Sequence, residues 1–144
     1  MVLTNYILIK KNKISYILKK KTKNGLKKSI VFLCGYRSDK NGKKADFIEK
    51  LRKDYGFEYL RFDYSGHGES SGDINNLCIS DWVNESKVLI ETKTNYPVVL
   101  IGSSMGGWIA FYLSLIIKKK LLKIVGIASA FDFTSRILKN LSTI

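Results

Sequence analysis

The sequence predicts an α/β fold with a mostly parallel sheet, an antiparallel hairpin at its N-terminal side and helices on both faces. Three observations carry this expectation. From residue 29 onward, short β-branched apolar runs alternate with longer amphipathic ones. The run Ser29–Cys34 is apolar without alternation, which suits a strand covered on both faces. Gly102-Ser-Ser-Met-Gly-Gly107 breaks an apolar stretch where a strand would turn into a helix.

Taken in order, Asn5 to Lys10 and Lys13 to Lys19 are short, rich in Ile, Leu and Tyr, and separated by a polar step, so they predict a hairpin. After the turn at Lys23-Asn24-Gly25, the Ser29–Cys34 strand ends at Gly35. Between Lys43 and Tyr55 the residues Ala45, Phe47, Ile48, Leu51 and Tyr55 recur at helical spacing, and Gly56 supplies a stop. Phe57 to Tyr64 predicts another strand, followed by the Gly-rich loop Ser65-Gly-His-Gly-Glu-Ser-Ser-Gly72. A second helix is expected to begin near Asp81 and to stop before Pro97, burying Trp82, Val83, Val88, Leu89 and Ile90. Val98 to Ile101 predicts a strand, and Trp108 to Ile117, with its preceding turn, a helix. Lys118 to Lys120 meet the negative end of that helix's dipole. Leu121 to Ala130 predicts a last strand, and Asp132-Phe-Thr-Ser the start of one more helix, with Asp132 as its N-cap.

The 144 residues have no linker or repeat that would divide them, so a single domain spanning 1–144 is expected. The formal charge is +13, but nine lysines between Lys10 and Lys28 account for much of it, and no aromatic-studded binding motif accompanies them. A local basic face is expected, with no nucleic-acid partner. Two cysteines, Cys34 and Cys78, and no apolar signal core argue for a reducing compartment, and the cytoplasm is the expected localisation. Val98 to Ile117 is a charge-free stretch of twenty residues ending in three lysines, as a membrane span would be. Its Gly and Ser residues at 102, 103, 104, 106 and 107 disfavour a continuous helix, so no transmembrane segment is expected.

The chemistry lies in Gly102-Ser103-Ser104-Met105-Gly106, a G-x-S-x-G pattern between a predicted strand and a predicted helix. A nucleophile at the tip of such a turn has a strained backbone, and glycines two positions to either side remove the Cβ atoms that would collide. The hydroxyl then sits at a helix N-terminus, where free N–H groups favour developing negative charge. Ser104 is the expected nucleophile and the Met105 N–H one oxyanion donor. The second donor has to come from the turn after a neighbouring buried strand, Cys34-Gly35-Tyr36, and Tyr36 is the candidate.

Three segments in this order, Phe32-Leu-Cys-Gly-Tyr36, Arg61-Phe-Asp-Tyr-Ser-Gly-His-Gly-Glu-Ser70 and Ile101-Gly-Ser-Ser-Met-Gly-Gly-Trp108, resemble the α/β-hydrolase family. The resemblance runs from about Tyr6 to Asp132 and is strongest to the palmitoyl-protein thioesterase branch of the abhydrolase-domain proteins. It implies a serine hydrolase acting on small-molecule or acylated esters or thioesters, with an acyl-enzyme on Ser104. Such a route needs no metal or organic cofactor.

The family pattern places an acid and then a histidine after the nucleophile. The one histidine here, His67, precedes Ser104, and at the matching place the family has a structural loop residue. Asp132, at the end of the last predicted strand, is the candidate acid. The family fold also continues through two further strands, so the sequence resembles an N-terminal portion. Weak or absent turnover is therefore expected of the chain alone, together with an apolar edge at Leu121 to Ala130 that a separate C-terminal hydrolase fragment would complete. The alternative is a non-catalytic fragment or binding module of the same fold.

Overall fold

A computed structural model describes residues 3–132 and 135. Six strands form one sheet: β1 (Asn5–Ile9), β2 (Asn12–Lys19), β3 (Ser29–Leu33), β4 (Glu58–Phe62), β5 (Val98–Ser103) and β6 (Leu121–Ile127). Helices α1 (Lys43–Tyr55), α2 (Ile79–Lys93) and α3 (Met105–Ile116) connect the last four. The strand order is β1-β2-β4-β3-β5-β6; the hairpin pairs antiparallel with itself and with β4, and β4, β3, β5 and β6 run parallel.

This order decides where a site can form. The first crossover carries the chain from β3 to β4, on one side, and the second carries it back across β3 to β5 on the other. Right-handed crossovers then put α1 on one face and α2 and α3 on the opposite face. Side chains agree: Tyr59 and Arg61 of β4 reach α1 through the Ala45 carbonyl and Asp46, whereas the Tyr64 ring meets Trp82 of α2. The neighbours β3 and β5 thus lead to opposite faces, and the crevice outside their C-terminal ends is the topological switch point where α/β sheets bind ligands.

The predicted alternation of elements holds, with several displaced boundaries, among them β4, which spans Glu58–Phe62 and not Phe57–Tyr64. The second helix starts at Ile79, not near Asp81, because the Asp81 carboxylate reaches back to accept the Cys78 N–H at 3.2 Å and closes the first turn. β5 runs two residues further, to Ser103, and α3 begins at Met105, so strand and helix are joined through Ser104 alone. β6 stops at Ile127 and not at Ala130, since Ala128 has φ 47° and the Ala130 N–H turns back to the Ser104 carbonyl at 3.1 Å. The helix expected after Asp132 lies outside the described residues. The twenty-residue charge-free stretch is divided between β5 and α3, and no helix among the described residues is long and apolar enough to cross a membrane.

The core lies on both faces of the central strands. All five residues of β4 are buried, as in a strand covered on both faces, although one is Glu58 and one Arg61. Both polar intruders are paired: Glu58 accepts from the Ser29 hydroxyl at 2.6 Å and from the Asn95 amide groups at 2.8 Å, and Arg61 faces Asp46 and the Lys40 carbonyl. At the sheet's far side, β6 carries Leu122 and Val125 exposed.

Candidate active site

Ser104 occupies the junction between β5 and α3 with φ 54° and ψ −119°, a backbone conformation that costs a non-glycine residue energy. Close packing keeps it there. A Cβ at Gly102 would overlap the Gly106 carbonyl, and one at Gly106 would overlap the Leu33 carbonyl of β3. The two glycines let α3 descend directly against β5 and β3. The Ser104 N–H donates to the Ile127 carbonyl at 3.0 Å, and its own carbonyl accepts from Gly107 at 2.9 Å and Ala130 at 3.1 Å. Its side chain is exposed at the crevice. Met105, the first residue of α3, has an N–H that the helix itself does not use.

The turn after β3 lies directly opposite. A Cβ at Gly35 would stand 3.4 Å from the Ser104 Cβ and 3.9 Å from its Oγ, so a larger residue at 35 would crowd the hydroxyl. The Ser38 N–H closes the turn onto the Gly35 carbonyl at 3.1 Å, and Arg37 takes φ 54°. A positive φ at the third position marks a type II turn, with Tyr36 at its second position. The structure therefore brings Ser104, Tyr36 and Met105 to one place.

It does not bring His67 there as a base. The His67 ring is packed edge-on by Trp82 at 5.1 Å, Tyr64 at 5.5 Å and Tyr36 at 6.0 Å between centroids. Nδ1 lies 3.1 Å from the Ser65 carbonyl, which can only accept, so Nδ1 carries the proton. Nε2 is buried and no described residue offers it a hydrogen bond. Burial pulls the ring's pKa below the usual histidine value, against the opposing pull of the Ser65 carbonyl and Asp63. These are the contacts of a packing residue, seated against the Tyr36 ring. Asp132 lies five residues past β6, exposed, with φ 51°, and its carboxylate accepts from the Ser135 hydroxyl at 2.6 Å.

Beneath the turn carrying Tyr36 lies a feature that the sequence did not advertise. Lys40 is wholly buried, and its Nζ meets Asp63 at 2.8 Å and also Glu69. Burial alone would lower the Lys40 pKa, but the hydrogen bonds from its ammonium to the two carboxylates outweigh it and raise the pKa. Asp63 also accepts the backbone N–H of Lys40 at 2.6 Å and of Glu69 at 2.9 Å. One carboxylate thus joins the loop after β3 to the loop after β4. Asp63 stood inside a suggestive Gly-rich segment; a lysine among Ser, Asp and Asn residues gives no comparable signal. Glu85 of α2 adds a second tie, accepting the Ser65 N–H at 2.9 Å, and its burial raises its pKa.

A doubly wound sheet with a strained serine at the strand-to-helix junction beside its switch point defines a hydrolase-type α/β protein. The family of the alpha/beta hydrolase fold matches residues 28–142, and the chain belongs to that family. Over 108 residues it is 38% identical to the palmitoyl-protein thioesterase ABHD10, mitochondrial, of Bos taurus and 35% identical to that of Homo sapiens. Each alignment covers 75% of this chain and 35% of the relative, so the chain spans about a third of the length of these proteins. Among solved structures, a putative hydrolase from Agrobacterium vitis S4 superposes with a TM-score of 0.84 at 34% identity, over 98% of this chain and 57% of that one. The mouse alpha/beta hydrolase domain-containing protein 10 gives 0.80 at 28%, over 88% of this chain and 50% of that one.

Proposed function

We propose that this chain carries the nucleophile and oxyanion hole of a serine hydrolase acting on esters or thioesters. The observation that carries the reading is the strained, exposed Ser104, held by Gly102 and Gly106 and faced by Gly35. Ser104 Oγ attacks the acyl carbonyl, the oxyanion is taken by the N–H groups of Tyr36 and Met105, and the alcohol or thiol leaves with the serine's proton. Water then hydrolyses the acyl-enzyme. Relatives named palmitoyl-protein thioesterases support a thioester substrate with an acyl chain. The free cysteines, one buried and one exposed, suit the cytoplasm or another reducing compartment.

The base is not His67 in this reading: its Nδ1 is used by the Ser65 carbonyl, and its ring is buried among Trp82, Tyr64 and Tyr36. A triad lacking its histidine loses about a millionfold in turnover and keeps roughly a thousandfold over water. Full turnover then needs a base from outside these residues, as a separate polypeptide with the C-terminal elements of the fold would bring, with Asp132 as the candidate acid on this side. The same caged histidine favours the second reading, a binding module that keeps the elbow without turnover. Labelling with a fluorophosphonate probe separates the two: modification at Ser104, abolished in Ser104→Ala and retained in His67→Ala, supports the hydrolase. A folded chain that resists the probe supports the module.

A further inference from the structure

We propose that the outer face of α1 is a docking surface for an anionic lipid bilayer, which the chain meets peripherally and without spanning it. Phe47, Leu51 and Tyr55 recur every four residues and form one row along α1. All three are exposed, Phe47 at 62% and Tyr55 at 56%. The row continues off the helix: the Leu26 N–H donates to the Tyr55 carbonyl at 3.0 Å, which seats another exposed apolar residue at its end. Isolated exposed apolar side chains are ordinary on a protein surface, whereas four that follow one another mark an interaction surface.

The charges around the row decide what covers it. Lys43 and Lys44 lie one turn before Phe47 and Lys50 one turn after it, and Lys27 and Lys28 follow Leu26; all five are exposed. Among the described residues none of the five makes an ion pair. The acids of α1 do not offset them: Asp46 and Glu49 face Arg61 and Arg52, which leaves Asp54 alone. The row is the outside of a helix, not a cleft, and the charges beside it are lysines, which act as point charges without the planar fork of arginine. A partner protein would have to match these positions one by one. A fluid layer of anionic headgroups matches them by rearranging, while the apolar side chains sink into it and the ammonium groups stay at phosphate level. Leu26 precedes β3 and α1 starts after the turn that carries Tyr36, so the surface extends along the domain and reaches the crevice end of the sheet. A chain docked this way holds α1 parallel to the bilayer and opens the crevice at its side.

A formal charge of +13 attracts the chain to any anionic surface, so the test has to separate the α1 face from net charge. The full chain is co-sedimented with vesicles of phosphatidylcholine alone and of phosphatidylcholine with about a third phosphatidylglycerol. Binding to the anionic vesicles is expected to be more than about tenfold tighter and to weaken as salt is raised. Lys43→Gln, Lys44→Gln and Lys50→Gln combined are expected to weaken it about a hundredfold, at roughly fivefold per lysine. The same charge removed beside β6, by Lys118→Gln, Lys119→Gln and Lys123→Gln, is expected to weaken it less than about fivefold. Phe47→Glu, at an exposed position, is expected to weaken it at least about tenfold. Circular dichroism establishes that each variant is folded. Binding no tighter to anionic than to neutral vesicles, binding weakened no more by the α1 lysine set than by the β6 set, or binding unmoved in folded Phe47→Glu overturns the surface. Sedimentation without vesicles that Phe47→Glu prevents also overturns it, because the row then covers a second copy of the chain. Vesicle binding does not involve Ser104, so failure here leaves the reading of the nucleophile untouched.

Discussion

The loops after β4 and β5 treat a polar residue in opposite ways. The β5 loop is a single residue, Ser104, strained and exposed, held by backbone close packing and backbone hydrogen bonds. The β4 loop runs through Ser65 to Gly72, buries His67, and is tied down by Asp63, Lys40 and Glu85. The strained serine sits where the chain has least room to relax, and the polar side-chain bonding lies in the neighbouring loop. A histidine in such a loop is thus a packing residue when its ring is enclosed by aromatic rings and its Nδ1 is already used.

The largest test of this contrast is Asp63→Ala. It leaves the Lys40 ammonium buried with Glu69 alone and cuts two ties between the loops and one within the β4 loop. A loss of about 3 kcal/mol or more in urea unfolding is expected; a loss below about 1 kcal/mol would mean that the polar latch is not what holds the loop. Next comes Gly106→Ala, whose Cβ meets the Leu33 carbonyl. It is expected to cost about 2 kcal/mol and to slow probe labelling, since helix and strand must separate. Ser104→Gly works in the other direction: relief of the positive φ should raise stability by about 1 kcal/mol while abolishing labelling.

Smaller effects come from protons. His67 has a pKa below its unfolded value of about 6.5, so the unfolded chain binds more protons and stability falls as pH drops below that value through the folded pKa. Thermal melts between neutral and mildly acid pH should show this fall, flattened in His67→Phe. Glu85 has the opposite sign: its raised pKa favours the fold below the unfolded carboxyl value, and that contribution is lost as pH rises through the folded pKa. Glu85→Gln keeps an acceptor for Ser65 and should give a small rise in melting temperature at neutral pH that disappears in acid. A melting temperature lowered at both would show that the carboxylate, not merely an acceptor, holds the loop.

Much of the sheet was legible because each parallel strand is a short apolar run closed by Gly or a polar turn, and α1 falls on Lys43–Tyr55 as its spacing and Gly56 predict. The elbow was legible because its glycines are a steric requirement written in residue type. Helix starts were harder: the Cys78–Asp81 closure gives no pattern distinct from ordinary surface residues. The supporting latch was only half legible, since Asp63 lies in a loop whose glycines attract notice, whereas Lys40 looks like any surface lysine and is buried only because two distant carboxylates converge on it. The aromatic cage around His67 joins residues from three elements and has no signature within any one of them.

The strand order has a consequence for how the molecule assembles. The hairpin joins neighbours in sequence, Ile9 opposite Asn12, and can form as soon as it is made. The central strand β3 cannot: its partners begin at Glu58 and Val98, so one flank of an apolar strand waits for a segment about seventy residues away. During synthesis at roughly 5–20 residues per second, that flank stands open for several seconds. The crevice between β3 and β5 is therefore the last part of the central sheet to close, and Ser104 takes its strained conformation only once it has.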